Sequence, residues 1–199
     1  MDHAVSDLDL DLPAGAKYVR NFLSPAEEAR LTALLDQRAW STELKRRVQH
    51  FGYRYDYRAR TVLPNAFLGP LPSWLSVLGA RLVGQGHFTE VPDQVIVNEY
   101  EPAQGISAHV DCIPCFEDTI ASLSLLSPCE MLFRNQQSGE RKSAILEPCS
   151  VLVLKGAARY DWTHEIPARK FDIVDGTKIA RRRRVSLTFR KVIENRPTG

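Results

Sequence analysis

Arg184-Val185-Ser186-Leu187-Thr188-Phe189-Arg190 alternates without a break. Successive side chains of a β-strand point to opposite faces, so Arg184, Ser186, Thr188 and Arg190 share one face and Val185, Leu187 and Phe189 the other. The segment therefore predicts a strand with one apolar and one cationic face. Two arginines on the inner side of a β layer are costly when unpaired. They call for anionic partners, and a dicarboxylic acid supplies two. Arginine binds carboxylate through paired parallel hydrogen bonds, which fixes orientation as well as charge. The competing reading is an outward, solvated face continuous with the basic run Arg181 to Arg184.

Upstream of this strand the texture is similar. Gln94 to Tyr100, Thr119 to Leu126, Glu130 to Arg134, Ser143 to Leu146 and Ser150 to Lys155 are short runs rich in Val, Ile, Leu, Thr and Ser, separated by turn residues. Such spacing predicts an antiparallel sandwich or barrel. Asn98 and Tyr100, again two apart, offer neutral donors on one face. Before residue 92 the signals are helical. Ser24 and Glu27 form a capping box around Pro25, predicting a helix to about Arg38 with Leu31, Leu34 and Leu35 buried. Leu71, Trp74 or Leu75, Leu78 and Leu82 predict a second helix over about Pro72 to Val83, stopped by Gly84 and Gly86. The charged, aperiodic stretch Lys170 to Arg183 reads as an exposed insertion. The expected organisation is one domain over residues 1–199: a loose acidic leader (1–13), a helical front (14–92) and a β core (93–192).

Composition permits this. Apolar residues make up 44% of the 199, enough for a core, and 26 basic against 24 acidic residues exclude a polyanionic or polycationic tail protein. The acidic N-terminal stretch is unlike a signal peptide, and no apolar run is long enough to span a membrane. These features lead to the expectation of a cytoplasmic monomer with no membrane partner. The four cysteines, Cys112, Cys115, Cys129 and Cys149, are expected as free thiols, because a chain of this length does not need disulfides to hold a core.

His109 and Asp111, two apart in an extended segment, can grip one ion from one strand end, and His164 lies far downstream on another segment. Two histidines and a carboxylate leave coordination positions open, which suits a non-heme Fe(II) oxygenase. The His-x-Asp triplet alone is a weak signal; its order before the Arg184–Arg190 strand gives it weight.

Together, Asn98-Glu99-Tyr100, Glu101-Pro102-Ala103-Gln104-Gly105-Ile106, His109-x-Asp111, Ile120 to Leu125, His164 and Arg184-x5-Arg190 resemble the AlkB family of Fe(II)/2-oxoglutarate dioxygenases, over roughly residues 94 to 192. The resemblance implies a mainly β fold, a double-stranded β-helix (jelly roll) with N-terminal helices packed against it. It implies Fe(II) on His109, Asp111 and His164. It implies 2-oxoglutarate with its keto-acid end held by Arg190 near Ser186, and its far carboxylate on Arg184, Asn98 and Tyr100. O₂ and 2-oxoglutarate would then be consumed to oxidise an N-alkyl carbon of a nucleobase, with formaldehyde leaving if the carbon was a methyl. Two positions depart from the family pattern. Ile113 stands where several base-repairing members carry an acid that reads an exocyclic amine, and Glu165 follows the distal histidine where glycine is common.

Thr42 to Arg60 holds six basic residues and two acidic ones, interleaved with Phe51, Tyr53, Tyr55 and Tyr57. Aromatics stack on bases and arginines neutralise phosphates, so this composition suits a single strand or a flipped base of DNA or RNA. An ordinary hairpin with inward tyrosines fits the same composition. Arg47 to Tyr53 is similar to the corresponding stretch of a family member that hydroxylates a tRNA wobble uridine. Arg47, His50 and Tyr53 are the substrate-binding candidates. The leading expectation is oxidative dealkylation of nucleobases. The alternatives are stable hydroxylation of a tRNA uridine or a protein side chain, and a nucleic-acid-binding module with a dead centre.

Overall fold

The computed structural model describes residues 10–174 and 176–193. The loose leader expected over 1–13 thus lies mostly outside the described residues. In chain order the elements are β1 (Ala16–Val19), α1 (Pro25–Asp36), β2 (Arg47–Phe51), α2 (Ser73–Gly84), β3 (Gln94–Tyr100), β4 (Ile106–His109), β5 (Phe116–Leu125), β6 (Cys129–Asn135), β7 (Arg141–Leu146), β8 (Ser150–Leu154), α3 (Ala157–Tyr160), β9 (Trp162–Ile166), β10 (Phe171–Val174), β11 (Thr177–Ala180) and β12 (Arg184–Val192).

Two antiparallel sheets form the body. One has the strand order β1-β8-β5-β12-β3-β2, the other β4-β9-β6-β7, and β10-β11 is a separate hairpin. The parity of the large sheet explains its burial on both faces. Val95 and Val97 of β3, Ala121, Leu123 and Leu125 of β5, Val151 and Val153 of β8, and Val185, Leu187 and Phe189 of β12 pack with Leu31 and Leu35 of α1 and Leu75, Leu78 and Leu82 of α2. The alternate residues Ile120, Leu152 and Leu154 pack with Met131, Phe133 and Leu146 of the small sheet. An antiparallel sheet commonly leaves one face wet; here the helices cover one side and the second sheet the other. The β-helix architecture with N-terminal helices is as expected.

The capping box at the start of α1 is formed. The Ser24 amide donates to Glu27 Oε2 at 2.8 Å and the Glu27 amide to Ser24 Oγ at 3.2 Å. Arg81 of α2 then reaches Glu27 Oε1 at 2.5 Å and ties the two helices together. Leu31 and Leu35 are buried as expected, while Leu34 is only half-buried. Gly84 ends inside α2, and Gln85 caps it.

Three features differ from the sequence reading. The front is not purely helical: β1 and β2 form the two edges of the large sheet. The stretch 170–183 is a hairpin rather than an irregular insertion. It is mostly exposed but anchored by Asp172, which accepts from Arg181 Nε at 2.7 Å and from Arg169 Nε at 2.8 Å. Cys112 and Cys115 form a disulfide, so only Cys129 and Cys149 are the free thiols expected of all four. A turn closed by the Cys115 amide on the Cys112 carbonyl brings their Cα atoms to 5.3 Å, inside the range a disulfide spans.

Candidate active site

β4 and β9 pair antiparallel with His109 directly opposite His164. Gly105 lets them approach: a Cβ there would lie 2.1 Å from the Ile166 carbonyl oxygen. The two imidazole centroids are 4.4 Å apart. His109 Nδ1 lies 2.7 Å from the Ser107 carbonyl oxygen, so Nδ1 carries the proton and Nε2 keeps its lone pair. Asp111 follows on the irregular segment after β4 and is buried. Its Oδ1 accepts from Arg190 Nη2 at 2.6 Å and Nε at 3.0 Å, and its Oδ2 lies 3.6 Å from His164 Nε2. Potential ligand atoms of the three residues all lie within 4.8 Å of one another. Burial pushes the Asp111 carboxyl up, but the Arg190 guanidinium beside it outweighs this and holds it below the usual carboxylate range. Burial and then His109 push His164 down to about 4. An anionic Asp111 and a neutral His164 are the protonation states a metal requires of these groups.

Behind this trio lies a narrow slot between the sheets. Asn98, Tyr100, Ser122, Arg184, Ser186, Thr188 and Arg190 supply its polar lining, and Ile120, Met131, Leu152, Leu154 and Ile166 its apolar walls. Arg184 is 2% exposed. Its Nη2 donates to Ser124 Oγ at 2.9 Å, but Nε and Nη1 are buried without a hydrogen-bond partner. Among the described residues no carboxylate pairs with it. A buried guanidinium with two unanswered donors costs several kcal/mol, about 1–3 for each unmade bond, unless an anion meets it. The slot therefore fits a small carboxylate ligand by charge and donor count. Arg190 differs from the expected picture, because its Nε and Nη2 are committed to Asp111 and its Nη1 donates to Gln94 Oε1 at 3.2 Å. Asn98 Oδ1 accepts from Arg46 Nε at 2.8 Å, linking the slot to the basic, aromatic segment 42–60, which serves as a lid.

In front of the trio opens a second cavity of about 550 Å³, sharing Asn98, Ile106, His109, Asp111 and Arg190 with the slot. Leu44, Arg46, Tyr55, Tyr57 and Arg60 cover it. Arg47, His50 and Tyr53, the candidates read from sequence, do not line it. Arg47 pairs across the sheet with Glu99 and lies over the Trp40 ring at 5.3 Å, on the helix side. His50 is buried behind the lid, its Nδ1 accepting from the Tyr55 amide at 3.4 Å and its ring 5.7 Å from that of Tyr57. Tyr53 packs against Phe67, with ring centroids 5.1 Å apart. Gly52, with φ +76°, bends the chain after β2, so strand parity does not carry from Arg47 into Tyr55 and Tyr57. Ile113 is half exposed on the loop after Asp111. Arg159, which no sequence pattern marked, is buried against the Asp111–Cys112 backbone.

Paired imidazoles, one carboxylate and an unanswered guanidinium across a slot match the donor set of an Fe(II) site beside a diacid. Residues 36–190 match the 2OG-Fe(II) oxygenase superfamily, to which the chain belongs. Three relatives narrow the class. An Arabidopsis thaliana protein, "Alkylated DNA repair protein ALKBH8 homolog", is 40% identical over 94% of this chain and 60% of its own length. The Mus musculus "tRNA (carboxymethyluridine(34)-5-O)-methyltransferase ALKBH8" is 38% identical over 91% of this chain and 31% of its own. The Bos taurus "Alpha-ketoglutarate-dependent dioxygenase alkB homolog 7, mitochondrial" is 35% identical over 89% and 79%. The chain belongs to the AlkB family of dioxygenases dependent on Fe(II) and 2-oxoglutarate. It spans 60% and 31% of the first and second of these relatives. The solved structure of OsALKBH1 superposes with a TM-score of 0.71 at 18% identity, covering 90% of this chain and 98% of that one, which shows the shared fold. Among the described residues no helix is long and apolar enough to cross a membrane.

Proposed function

We propose that this chain oxidises an alkyl carbon carried by a nucleobase in a single-stranded or flipped nucleotide of DNA or RNA, and so dealkylates the base. The observation that carries the reading is the outer cavity, which meets His109 and Asp111 on one side and Tyr55, Tyr57, Arg46 and Arg60 on the other. Aromatic faces stack on a base and guanidinium groups meet phosphate or base oxygens. The role of each part follows. His109, Asp111 and His164 would hold Fe(II), with Arg190 fixing Asp111 and the Ser107 carbonyl fixing His109. Arg184, with Asn98, Tyr100 and Ser186, would orient 2-oxoglutarate in the slot. The metal and 2-oxoglutarate together supply the oxidising power that activates O₂. The apolar walls of the slot exclude water from that chemistry, and the lid orients the target carbon in the outer cavity.

A second reading is stable hydroxylation of a modified uridine in tRNA. One observation favours it: among the described residues Asp111 is the only acid lining the outer cavity, and it is committed to Arg190. A wall of donors suits the carbonyl edge of uracil better than the exocyclic amine of adenine or cytosine. The mouse relative's tRNA name accords with it. Mass spectrometry of a panel of modified DNA and RNA oligonucleotides separates the two. Loss of CH₂ is expected for dealkylation, and gain of one oxygen supports hydroxylation. No change on any nucleic acid would rule out both.

A further inference from the structure

Arg159 heads the fully buried side chains by size, yet the chemistry above does not use it. It sits on α3, just before β9. Its Nη1 donates to the Asp111 carbonyl oxygen at 2.9 Å and its Nη2 to the Cys112 carbonyl oxygen at 3.1 Å. Its Cζ lies 5.0 Å from the Tyr160 ring centroid, and its Nε is buried without a hydrogen-bond partner. Among the described residues no carboxylate forms an ion pair with it. Burying a cation against two carbonyls rather than a carboxylate is a costly arrangement. It makes sense where those carbonyls are what must be held.

They belong to the irregular turn between β4 and β5, where the His109–His164 pair is the last rung of the β4–β9 ladder. Nothing in a sheet fixes the backbone of Asp111. Two arginines from different elements grip it instead. Arg190 of β12 takes Oδ1 of the carboxylate, and Arg159 takes the backbone on either side of the Asp111–Cys112 peptide. Oδ2 is left facing His164.

We propose that Arg159 is a positioning residue for the metal centre. By holding the Asp111 and Cys112 carbonyls, it sets the direction of the carboxylate before metal arrives. It acts through Asp111 and touches no reacting atom. The proposal rests on the reading of His109, Asp111 and His164 as ligands.

The test is a Co(II) titration of the metal-free full chain, followed by visible absorption, with thermal melting on each variant. Outer groups that orient a ligand are worth about 10- to 100-fold in metal affinity. Arg159→Met is expected to bind Co(II) at least about tenfold more weakly, and Arg159→Lys, which keeps the charge but loses the fork, to fall between it and the parent. Arg181→Met breaks a comparably buried ion pair with Asp172 at the hairpin and a bond to the Pro167 carbonyl past the end of β9, without touching the trio. It is expected to lower the melting temperature and leave Co(II) affinity unchanged. Parent-like Co(II) binding in a folded Arg159→Met protein would overturn the proposal, and so would an equal loss in Arg181→Met. If the methionine variant does not fold, the lysine variant decides by the same criterion. Asp111→Asn distinguishes the two layers of the argument: parent-like binding there would refute the ligand assignment itself.

Discussion

Asp111 is held from three sides, by Arg190 on its carboxylate, Arg159 on its carbonyl and His164 across a 3.6 Å gap. Its charge is what makes two facing imidazoles and two buried guanidinium groups compatible in one small volume. Asp111→Ala is therefore expected to abolish 2-oxoglutarate turnover, with the release of succinate as the measurement. Turnover retained in a metal-controlled assay would contradict the ligand assignment. Arg190 was legible in sequence as an inward arginine, since polar and apolar residues alternate strictly from Arg184 to Arg190. Its partner was not, because the alternation says which face a side chain occupies and not which carboxylate waits there. Arg159 left no trace at all. A four-residue helix has no periodicity to read, and its contacts are carbonyls, which every residue has.

At the scale of elements, the strands rich in Val, Ile and Leu, β3, β5, β6, β7, β8 and β12, were readable within a few residues. β4 and β9 were not, although they carry both histidines, because each is short and only half apolar. Their pairing depends on Gly105, where a Cβ would collide with the Ile166 backbone. Gly105→Ala is expected to push β9 and His164 away from His109 and to weaken Co(II) binding about tenfold, read by the same visible titration. Unchanged affinity would show that the strands can part without cost. The lid was legible in composition and misread in detail, since Gly52 breaks the parity that would have led from Arg47 to Tyr55. His50 supports that lid from behind. Burial pushes it down to about 4 from its ordinary 6.5, so the folded state favours the neutral ring. The unfolded chain takes up a proton near 6.5. Stability from this group is thus complete above pH 6.5 and drains away as the pH falls toward 4, by about 3 kcal/mol. His50→Gln is expected to flatten the pH dependence of unfolding between 6.5 and 4. An unaltered slope would place the buried titration elsewhere.

For the molecule as a whole, two cavities meet at His109 and Asp111. The inner slot has walls from both sheets, with β12 contributing Arg184 and β4 and β9 the histidines. The outer cavity is roofed by the segment between β2 and α2 and by Leu44 and Arg46 just before β2. On the proposed reading, this nesting would give the co-substrate a dry, cationic interior and leave the substrate the open face. On that reading Arg184 receives the far carboxylate of 2-oxoglutarate. Removing one partner of a buried charge pair costs about 2 kcal/mol or more, or roughly thirtyfold in affinity. The most direct measurement is an anaerobic titration of the Fe(II)-loaded protein with 2-oxoglutarate, followed by its weak visible charge-transfer band. The parent protein should develop the band, and Arg184→Met should need about thirtyfold more 2-oxoglutarate to reach the same amplitude. No band in the parent, or the same midpoint in both proteins, would contradict the account.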